Sequence, residues 1–161
     1  MNGRLVRAGE QHDLVLTRRF KAPIEDVWAS VTESERSARW FGPWEGEAGP
    51  GRTIKVRMVQ EEGEPVMDLR IDACEPPRRL AVSGSDEAGG WKMEIRLVEE
   101  GGATVMEFVH HGVDPAQVGE IGPGWEYYLD LLVAARDGTP EPEFEAYLAR
   151  FKPQYERLTA G

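Results

Sequence analysis

Histidine and cysteine are the first candidates for chemistry, and this chain of 161 residues has three histidines and one cysteine. His110 and His111 are neighbours in a segment with strand-like alternation, so their side chains should point to opposite faces of a sheet and cannot chelate one metal ion. His12 is remote in sequence and Cys74 stands alone, so the spacing of a zinc site is lacking. The sequence therefore predicts no metal site and no cofactor.

Familiar catalytic and phosphate-binding motifs are lacking too. Gly49-Pro50-Gly51-Arg52 has the chemistry of a hairpin turn and lacks the Lys-Ser/Thr pair of a phosphate loop. No Gly-x-Ser-x-Gly elbow occurs, and Cys74 precedes Glu75-Pro76-Pro77 without a base nearby in sequence. We therefore predict no catalytic residue, and the sequence leaves open whether the protein is an enzyme.

Two polar side chains are expected to point inward. His110 alternates in step with Met106 and Phe108, so its ring should face the same side as theirs. There it could orient a carbonyl or hydroxyl group of a ligand or act as an acid or base; the alternative is a ring bonded to backbone near the strand end. Tyr128 is the second candidate, and its hydroxyl could donate to a ligand or merely to a carbonyl.

Methionine and tryptophan supply the apolar candidates. Apart from Met1, all methionines fall on the predicted dry face of the sheet, where flexible thioethers suit either a pocket that re-packs around varied ligands or the gaps of a curved core. Trp40, Trp44 and Trp125 suit either the wall of a cavity or plain packing. The predicted ligand-binding residues are Trp40, Trp44, Met58, Met67, Met93, Met106, His110, Trp125, Tyr128 and Leu132.

These candidates need a scaffold, and its centre is a helix predicted from Pro123 to Arg136. The segment is apolar almost all the way round, broken by Glu126, Asp130 and Arg136, so other elements must surround it. Pro123 suits the first position of this helix, and Gly138 suits a left-handed cap at its end. The segments that enclose the helix should come earlier in the chain.

Those earlier segments alternate with a period of two and predict the enclosing sheet. After a first strand, one helix is opened by Pro23 and a shorter one runs from Glu33 to Trp40. Short turns then join further strands, which favours an antiparallel meander. The predicted strands are Leu14–Phe20, Trp44–Ala48, Thr53–Gln60, Val66–Cys74, Arg79–Ser83, Trp91–Glu99 and Ala103–His111. The fold class is therefore α+β, a curved antiparallel sheet of about seven strands around the long helix.

One domain accounts for most of the chain. We expect a loosely held N-terminal arm at residues 1–13, the sheet-and-helix domain at 14–136, and a linker with an amphipathic helix at 137–161. The apolar stripe of that last helix is interrupted by Pro153. It should cover the same domain, and a second copy in a homodimer is the alternative.

Charge and composition limit the partners. The chain has 19 basic and 29 acidic residues, a net charge of −10, so nucleic acid and anionic membrane surfaces should repel it. The N-terminal segment lacks the apolar core of a signal peptide, and a single cysteine fits a reducing compartment. We therefore expect a cytoplasmic protein without nucleic-acid or membrane partners.

Several short motifs follow one another in a distinctive order. They are Arg18-x-Phe20-x-Ala22-Pro23, Val27-Trp28, Arg39-Trp40-Phe41-Gly42-Pro43, His110-x-Gly112 and Gly124-Trp125. In this order and spacing they resemble the activator-of-heat-shock-protein-90-ATPase homologue family, of the START/birch-pollen-allergen (SRPBCC) superfamily. The chain departs from that family at Glu47–Arg52, where a Gly-Gly hairpin is common, and in a longer tail after Asp137. The resemblance implies the helix-grip fold with an elongated, mostly apolar cavity between sheet and long helix, and it carries over no catalytic motif.

The main functional hypothesis is that the protein binds a small hydrophobic or amphipathic molecule in this cavity. The resemblance implies two alternatives, because relatives include enzymes that cyclise or dehydrate polyketide-like substrates and a domain that assists a chaperone. The first alternative would use His110 and Tyr128. The second would need a surface that contacts a chaperone, and no uncharged exposed patch of that kind can be identified in the sequence.

Overall fold

The computed structural model describes residues 3–86 and 89–158. They form strands β1 to β8, helices α1 to α4 and one short 3-10 helix at Pro115–Gln117. In chain order the elements are β1 Arg4–Ala8, β2 Gln11–Phe20, α1 Ile24–Thr32, α2 Ser34–Ser37, β3 Trp44–Glu45, β4 Thr53–Arg57, β5 Val66–Glu75, β6 Arg79–Asp86, β7 Gly89–Glu100, β8 Ala103–His111, α3 Val118–Asp137 and α4 Phe144–Glu156.

All eight strands of the described chain belong to one antiparallel sheet, in the order β1-β2-β8-β7-β6-β5-β4-β3. Strands β4 to β8 follow one another as a meander. Helices α1 and α2 carry the chain from β2 to β3 at the far edge of the sheet. This arrangement confirms the predicted α+β fold with a long helix on an antiparallel sheet, and the sheet has one strand more than expected.

The additional strand corrects the expectation of a loose N-terminal arm. Strand β1 pairs with the first half of β2, with Arg4 opposite Val15. Gly9, at a φ of 65°, lies in the tight turn between the two strands. Leu5 packs against the main core, so backbone pairing and apolar contact together hold this segment. The first two residues of the predicted arm lie outside the described residues.

Other predicted limits shift by a few residues. Strands β3 and β4 are shorter than predicted, whereas β5, β6 and β7 are longer. Helix α2 covers only Ser34–Ser37. The turn predicted at residues 84–90 lies partly outside the described residues, as do the last three residues of the predicted C-terminal segment.

The dry face of the sheet is covered unevenly. Inward side chains of β2, β7 and β8 pack with α1, α3 and α4 in one main core, which includes Leu16, Leu97, Met106 and Leu129. A second, smaller core on β4 and β5 consists of Ile54, Val56, Met58, Leu69 and Ile71. The long helix therefore lies over one half of the sheet, where its closest strand is β2. The dry face of the other half, at β4 and β5, is covered by loops instead of by the long helix.

The long helix begins earlier than predicted. Helix α3 runs from Val118 to Asp137, so Pro123 lies inside it rather than at its first position. A proline at this point removes one hydrogen bond of the helix, since it has no amide hydrogen to donate. The end follows the prediction: Gly138 is left-handed, with a φ of 70°, and its amide donates to the carbonyl of Ala134.

Helix α4 lies along α3. Phe151 and Tyr155 are buried, and the ring of Tyr155 fits against two glycines, because a Cβ on Gly3 or on Gly122 would overlap it. Pro153 lies within the helix. The C-terminal segment is thus packed on the same body as the sheet. Within the ranges described, no helix is long and apolar enough to span a membrane.

Candidate ligand-binding site

An apolar cavity lies under the half of the sheet that α3 leaves uncovered. We name it the inner cavity, and its volume is about 210 Å³. Inward side chains of β4 to β7 form one wall, and the segment after α1 forms the opposite wall. Its principal lining residues are Val31, Trp40, Phe41, Trp44, Ile54, Val56, Leu69, Ile71, Leu80, Val82, Met93, Ile95, Phe108 and Trp125. The lining is almost entirely hydrocarbon.

Two tryptophans present only apolar edges to this cavity, because their N–H groups are used elsewhere. Trp40 Nε1 donates to the carbonyl of Ser30 at 3.0 Å, and Trp44 Nε1 donates to the carbonyl of Thr32 at 2.9 Å. Carbonyls in the last turn of a helix have no partner within the helix, so the end of α1 needs such donors. The same two bonds therefore complete α1 and fix both indoles as apolar walls.

The turn Phe41-Gly42-Pro43 presses closely against β4. A Cβ on Gly42 would overlap the carbonyl oxygen of Arg57, so the position has room only for glycine. The amide of Arg57 donates to the carbonyl of Pro43 at 3.0 Å and closes the contact. The turn thereby holds its aromatic neighbours at the edge of the inner cavity.

A wider groove opens next to the inner cavity. We name it the outer groove; its volume is about 1050 Å³, and it lies between the first turns of α3 and the segments around β4 and β5. Aromatic and thioether side chains line its depth, and charged side chains stand at its rim. Its lining residues include Phe41, Lys55, Met58, Glu61, Met67, Asp68, Trp91, His110, Glu120, Trp125 and Tyr128.

Phe41 and Trp125 line both spaces and separate them, and we name this pair the aromatic partition. Their rings are nearly parallel, at an interplanar angle of 16° and a centroid distance of 6.5 Å. Tyr128 contacts both rings, at 5.7 Å from Phe41 and 5.6 Å from Trp125. Phe108 supports Trp125 from the sheet at 4.4 Å. A ligand that reaches from one space into the other must pass this pair.

His110 holds the aromatic partition in place. Its Nδ1 accepts a hydrogen bond from Trp125 Nε1 at 3.0 Å. An indole nitrogen can only donate, so Nδ1 carries no hydrogen and the neutral ring has its hydrogen on Nε2. Burial lowers the pKa of His110, and the neighbouring His111 lowers it further, against an opposing effect of Asp13. His110 thus lies in the outer groove as a neutral ring whose partner is a side chain, not backbone.

Tyr128 also faces the outer groove, and its hydroxyl donates to Glu61 Oε2 at 3.3 Å. Burial raises the pKa of Tyr128, and the nearby carboxylate of Glu61 raises it further. The phenol therefore keeps its proton, and it is a donor rather than a base. Its bond links α3 to the loop that follows β4.

The structure divides most of the predicted ligand-binding residues between the two spaces. Those in the inner cavity are Trp40, Trp44 and Met93, those in the outer groove are Met58, Met67, His110 and Tyr128, and Trp125 belongs to both. The two spaces share the aromatic partition, so these residues lie on its two sides.

Two predicted residues line neither space. Met106 is completely buried in the main core, because β8 runs beneath the long helix at that point. Leu132 is buried beside Arg136, on the side of α3 that faces α1. It lies about 10 Å farther along the helix axis than Trp125, which carries it past the cavity although both share one helical face. The prediction is corrected for these two residues.

Several lining residues are not predicted from the sequence, and Phe41 is the one among them that lines both spaces. Its signal is its position between Trp40 and the Gly42-Pro43 turn, because a tight turn packed on a strand fixes the direction of the side chain before it. Ile54 alternates in step with Met58, and Leu69 in step with Met67, so the sequence indicates the dry face for both but does not assign them to a cavity wall.

A buried ionic network fixes the position of α3 over the sheet. Arg18 of β2, whose side chain is 7% exposed, donates to Glu126 at 2.7 Å and to Asp130 at 3.0 Å. Tyr155 and Tyr147 of α4 donate to the same two carboxylates, at 2.6 and 2.7 Å. Burial would lower the pKa of Arg18, but the two carboxylates outweigh it and raise this pKa. The network joins β2, α3 and α4 and lies outside both ligand spaces.

A second charged cluster lies on the wet face of the sheet, around Glu94. Its carboxylate accepts hydrogen bonds from Arg79 at 2.7 Å and Arg96 at 2.8 Å, and Nε2 of His111 lies 2.9 Å away. Burial alone would raise the pKa of Glu94, but the hydrogen bonds from these three side chains lower it to about 2. Nδ1 of His111 lies 3.0 Å from Asp13. In the described part of the chain, no group of three or more His, Cys, Asp or Glu side chains could hold a metal ion.

Comparison with known proteins identifies proteins that are similar to this chain in sequence and structure. The family model described as "Activator of Hsp90 ATPase homolog 1-like protein" matches residues 21–136. CalU16 from Micromonospora echinospora is 29% identical, over 99% of this chain and 96% of its own, with a TM-score of 0.79. The protein encoded by gene BPP1335 from Bordetella parapertussis is 27% identical, over 94% of this chain and 88% of its own, with a TM-score of 0.75.

A more distant structure shows the same fold. The Aha1 dimer from Colwellia psychrerythraea is 18% identical, over 76% of this chain and 94% of its own, with a TM-score of 0.65. The open antiparallel sheet with its long C-terminal helix matches the helix-grip fold of these neighbours. Among curated protein sequences, none matches the chain.

Proposed function

The chain belongs to the family of Activator of Hsp90 ATPase homolog 1-like proteins, and on this basis we propose that it binds a small hydrophobic or amphipathic molecule in its inner cavity. The observation that carries the proposal is the cavity itself, with about 210 Å³ of space and an almost wholly apolar lining. For comparison, an engineered protein cavity of about 150 Å³ with such a lining stays dry and binds benzene.

The energetics favour a guest. An apolar space without a guest leaves the side chains around it without packing partners on one side. A ligand that fills it restores those contacts and buries its own apolar surface at roughly 25 cal/mol per Å². The part of the ligand inside this cavity must be uncharged, because a buried charge without a partner is strongly unfavourable.

The geometry favours binding over acid–base catalysis. Nδ1 of His110 is occupied by the indole N–H of Trp125, and its Nε2 carries a hydrogen. Tyr128 keeps its proton, because burial and Glu61 raise its pKa. Neither side chain therefore offers a free base, and nothing in this arrangement favours the cyclase or dehydratase alternative. The chaperone-assisting alternative stays a prediction.

Filling the cavity from within provides the test. Val82 lines the inner cavity, whereas Val98 is 56% exposed on the same sheet. Val82→Phe should occupy the space, and Val98→Phe is the matched control. We expect naphthalene to raise the thermal unfolding temperature of wild-type protein and of Val98→Phe, and to quench tryptophan fluorescence in both. In Val82→Phe both effects should be lost. Mass spectrometry of an organic-solvent extract would detect any guest retained from the cell.

Two results would contradict the proposal. One is that naphthalene and smaller apolar probes neither stabilise nor quench the wild-type protein. The other is that Val82→Phe, folded as judged by circular dichroism, responds to the probe as the wild type does, because the probe would then bind elsewhere.

Location and assembly are also proposals. We place the protein in the cytoplasm, and the single cysteine, which is unpaired, supports this location. A homodimer is compatible with the dimeric neighbour from Colwellia psychrerythraea, which shares the fold. Light scattering after size-exclusion chromatography tests it, and a mass of 18.0 kDa at all protein concentrations would contradict it.

A further inference from the structure

The inner cavity and the outer groove differ in polarity, and this difference indicates the chemistry of the ligand. Resting on the proposed function, we propose that the ligand is an elongated, uncharged molecule whose apolar end fills the inner cavity and whose carbonyl oxygen, near the aromatic partition, accepts a hydrogen bond from His110. The same molecule with a carboxylate in place of that carbonyl group should bind more weakly.

His110 is the hydrogen-bond donor that this ligand would meet. Its Nδ1 accepts from Trp125 Nε1, so its hydrogen is on Nε2. Within residues 3–86 and 89–158, Nε2 has no hydrogen-bond partner, whereas every fully buried side-chain nitrogen or oxygen there has one. Nε2 is therefore within reach of solvent, and the space that His110 lines is the outer groove.

Two neighbouring polar side chains of the groove already donate to carboxylates. The hydroxyl of Tyr128 donates to Glu61 at 3.3 Å. The ammonium group of Lys55 donates to Asp68 at 3.1 Å. Among the described side chains of the groove, the Nε2 hydrogen of His110 and the indole N–H of Trp91 are donors that a ligand can engage without breaking an existing contact. His110 is the one bonded to the aromatic partition.

The charges of the outer groove disfavour an anion. Three carboxylates line the groove, those of Glu61, Asp68 and Glu120. Lys55 pairs with Asp68 and Lys152 lies 3.9 Å from Glu120, so the carboxylates still outnumber the ammonium groups. Like charges repel more strongly in a site that partly excludes water than in bulk solvent. Burial lowers the pKa of His110, so its ring supplies no compensating positive charge near neutral pH. A neutral carbonyl oxygen can accept from Nε2 without this repulsion.

A matched series of probes tests the inference on the wild-type protein at pH 7.5. 2-Octanone and heptanoic acid share the same alkyl chain and differ at the polar end, and octane lacks an acceptor. Tryptophan fluorescence titrations give a dissociation constant for each probe. Since one hydrogen bond is worth about 1.4 kcal/mol, or a factor of ten, we expect 2-octanone to bind about tenfold tighter than octane. Heptanoate should bind at least about tenfold more weakly than 2-octanone.

Two variants separate the hydrogen bond from the charge. His110→Phe removes the Nε2 donor and also the acceptor of Trp125, so both affinities can change; the ratio of the affinity for 2-octanone to that for octane isolates the ligand's hydrogen bond and should fall about tenfold. Glu61→Gln removes one negative charge, and its amide oxygen can still accept the hydrogen bond from Tyr128. The ratio of the affinity for 2-octanone to that for heptanoate should therefore fall by about two- to fivefold. Glu145→Gln, exposed on α4 away from the groove, is its control and should leave the preference unchanged.

The inference and the proposed function fail in distinguishable ways. Heptanoate binding as tightly as 2-octanone overturns the inference, and so does a ratio of 2-octanone to octane affinity that is the same in His110→Phe as in the wild type. In both cases octane still binds and the proposed function stands. If none of the three probes binds the wild-type protein, the proposed function fails and the inference fails with it. The comparison of probes on the wild type does not depend on the folding of any variant.

Discussion

The hydrogen bond between His110 and Trp125 depends on a single proton. While Nδ1 of His110 carries no hydrogen, it accepts the indole N–H at 3.0 Å; once both ring nitrogens are protonated, both are donors and the bond cannot form. The aromatic partition would then lose the contact that holds Trp125. The neutral form of this histidine therefore supports the wall between the two spaces.

The free energy of unfolding should consequently fall as the pH falls below about 6.5. Burial, with a contribution from His111, lowers the pKa of His110 from its ordinary value of 6.5, so the unfolded chain takes up this proton first. The stabilisation is complete above that value and is lost as the pH approaches the lowered pKa. Urea unfolding at pH 7.5 and pH 5.5 measures the change. His110→Phe should lack this part of the pH dependence, and a wild-type slope in the variant would contradict the assignment.

Tyr155 and Tyr147 make the same hydrogen bond in different surroundings and allow a matched test. Their carboxylate partners differ in exposure, with Glu126 at 3% and Asp130 at 31%. Water can replace the lost donor at Asp130 but not at Glu126. In urea unfolding, Tyr155→Phe should therefore cost about 2 to 3 kcal/mol and Tyr147→Phe less than about 1 kcal/mol. Equal losses would show that burial of the carboxylate does not set the cost.

At the level of elements, alternation and turn chemistry predict most of the fold, and the start of α3 shows where they fail. Strand β8 is predicted residue for residue, because its buried face repeats without interruption. The start of α3 has three glycines and a proline within six residues, a pattern typical of a turn. In the structure, Gly122 makes room instead, because its Cβ would overlap the ring of Tyr155. A local pattern cannot separate these two uses of glycine, since the packing partner is distant in sequence.

Gly122→Ala and Gly124→Ala test the two uses directly. Gly122→Ala should destabilise the protein by about 1 to 3 kcal/mol, because Tyr155 must move away from Glu126 to admit the methyl group. At Gly124 a Cβ meets nothing within 4 Å, and alanine favours a helix, so stability should rise by about 0.5 to 1 kcal/mol. Thermal unfolding should show shifts of opposite sign. A stabilising effect of Gly122→Ala would contradict the packing argument.

The buried network shows why a contact between distant elements cannot be predicted from local sequence patterns. Arg18 has the inward parity of Leu16, and Glu126 and Asp130 lie one turn apart on an otherwise apolar helix. Each of these signals is visible alone. That they meet depends on α3 lying over β2, which no local pattern determines.

The cluster around Glu94 joins β2, β6, β7 and β8 on the wet face and should protect the fold against acid. Hydrogen bonds lower the pKa of Glu94 from 4.5 to about 2, so its contribution is complete above pH 4.5 and is lost as the pH falls toward 2. Because solvent around Arg79 and Arg96 screens part of the pairing, Glu94→Gln should cost on the order of 2 kcal/mol at pH 7. Near pH 2 the variant and the wild type should unfold at similar denaturant concentrations. A loss of equal size at both pH values would contradict this origin.

At the scale of the whole molecule, the cavity follows from a difference in width between sheet and helix. Eight strands at about 4.8 Å each span more than about 30 Å, whereas one helix is about 10 Å across. Helix α3 lies over one half, and the aromatic segment after α1 closes the other. The sequence predicts the dry face and the helix but not their offset. For that reason it could not distinguish Met93, which lines the cavity, from Met106, which is core.

Helix α4 contributes to the core, so the folded domain should extend beyond Asp137. The family model ends at residue 136, yet Phe151 and Tyr155 are buried in the main core and Tyr155 donates to Glu126. Each buried aromatic side chain contributes about 1.5 to 3 kcal/mol, and loss of α4 would also open the pair of Arg18 and Glu126 to water. Such a loss is large against the roughly 5 to 15 kcal/mol that stabilises a typical domain.

A chain that ends at Asp137 should therefore lose its cooperative unfolding transition, whereas a chain without residues 1–9 should keep one at a reduced temperature. Strand β1 is an edge strand with mostly exposed side chains, and its removal leaves β2 paired with β8. Differential scanning calorimetry of the two truncated proteins beside the full chain makes the comparison. A native-like transition in the chain that ends at Asp137 would mean that residues 1–137 fold without α4. In that case the network around Arg18 would have to persist without its two tyrosine donors, and Tyr155→Phe should then be nearly neutral in the full chain.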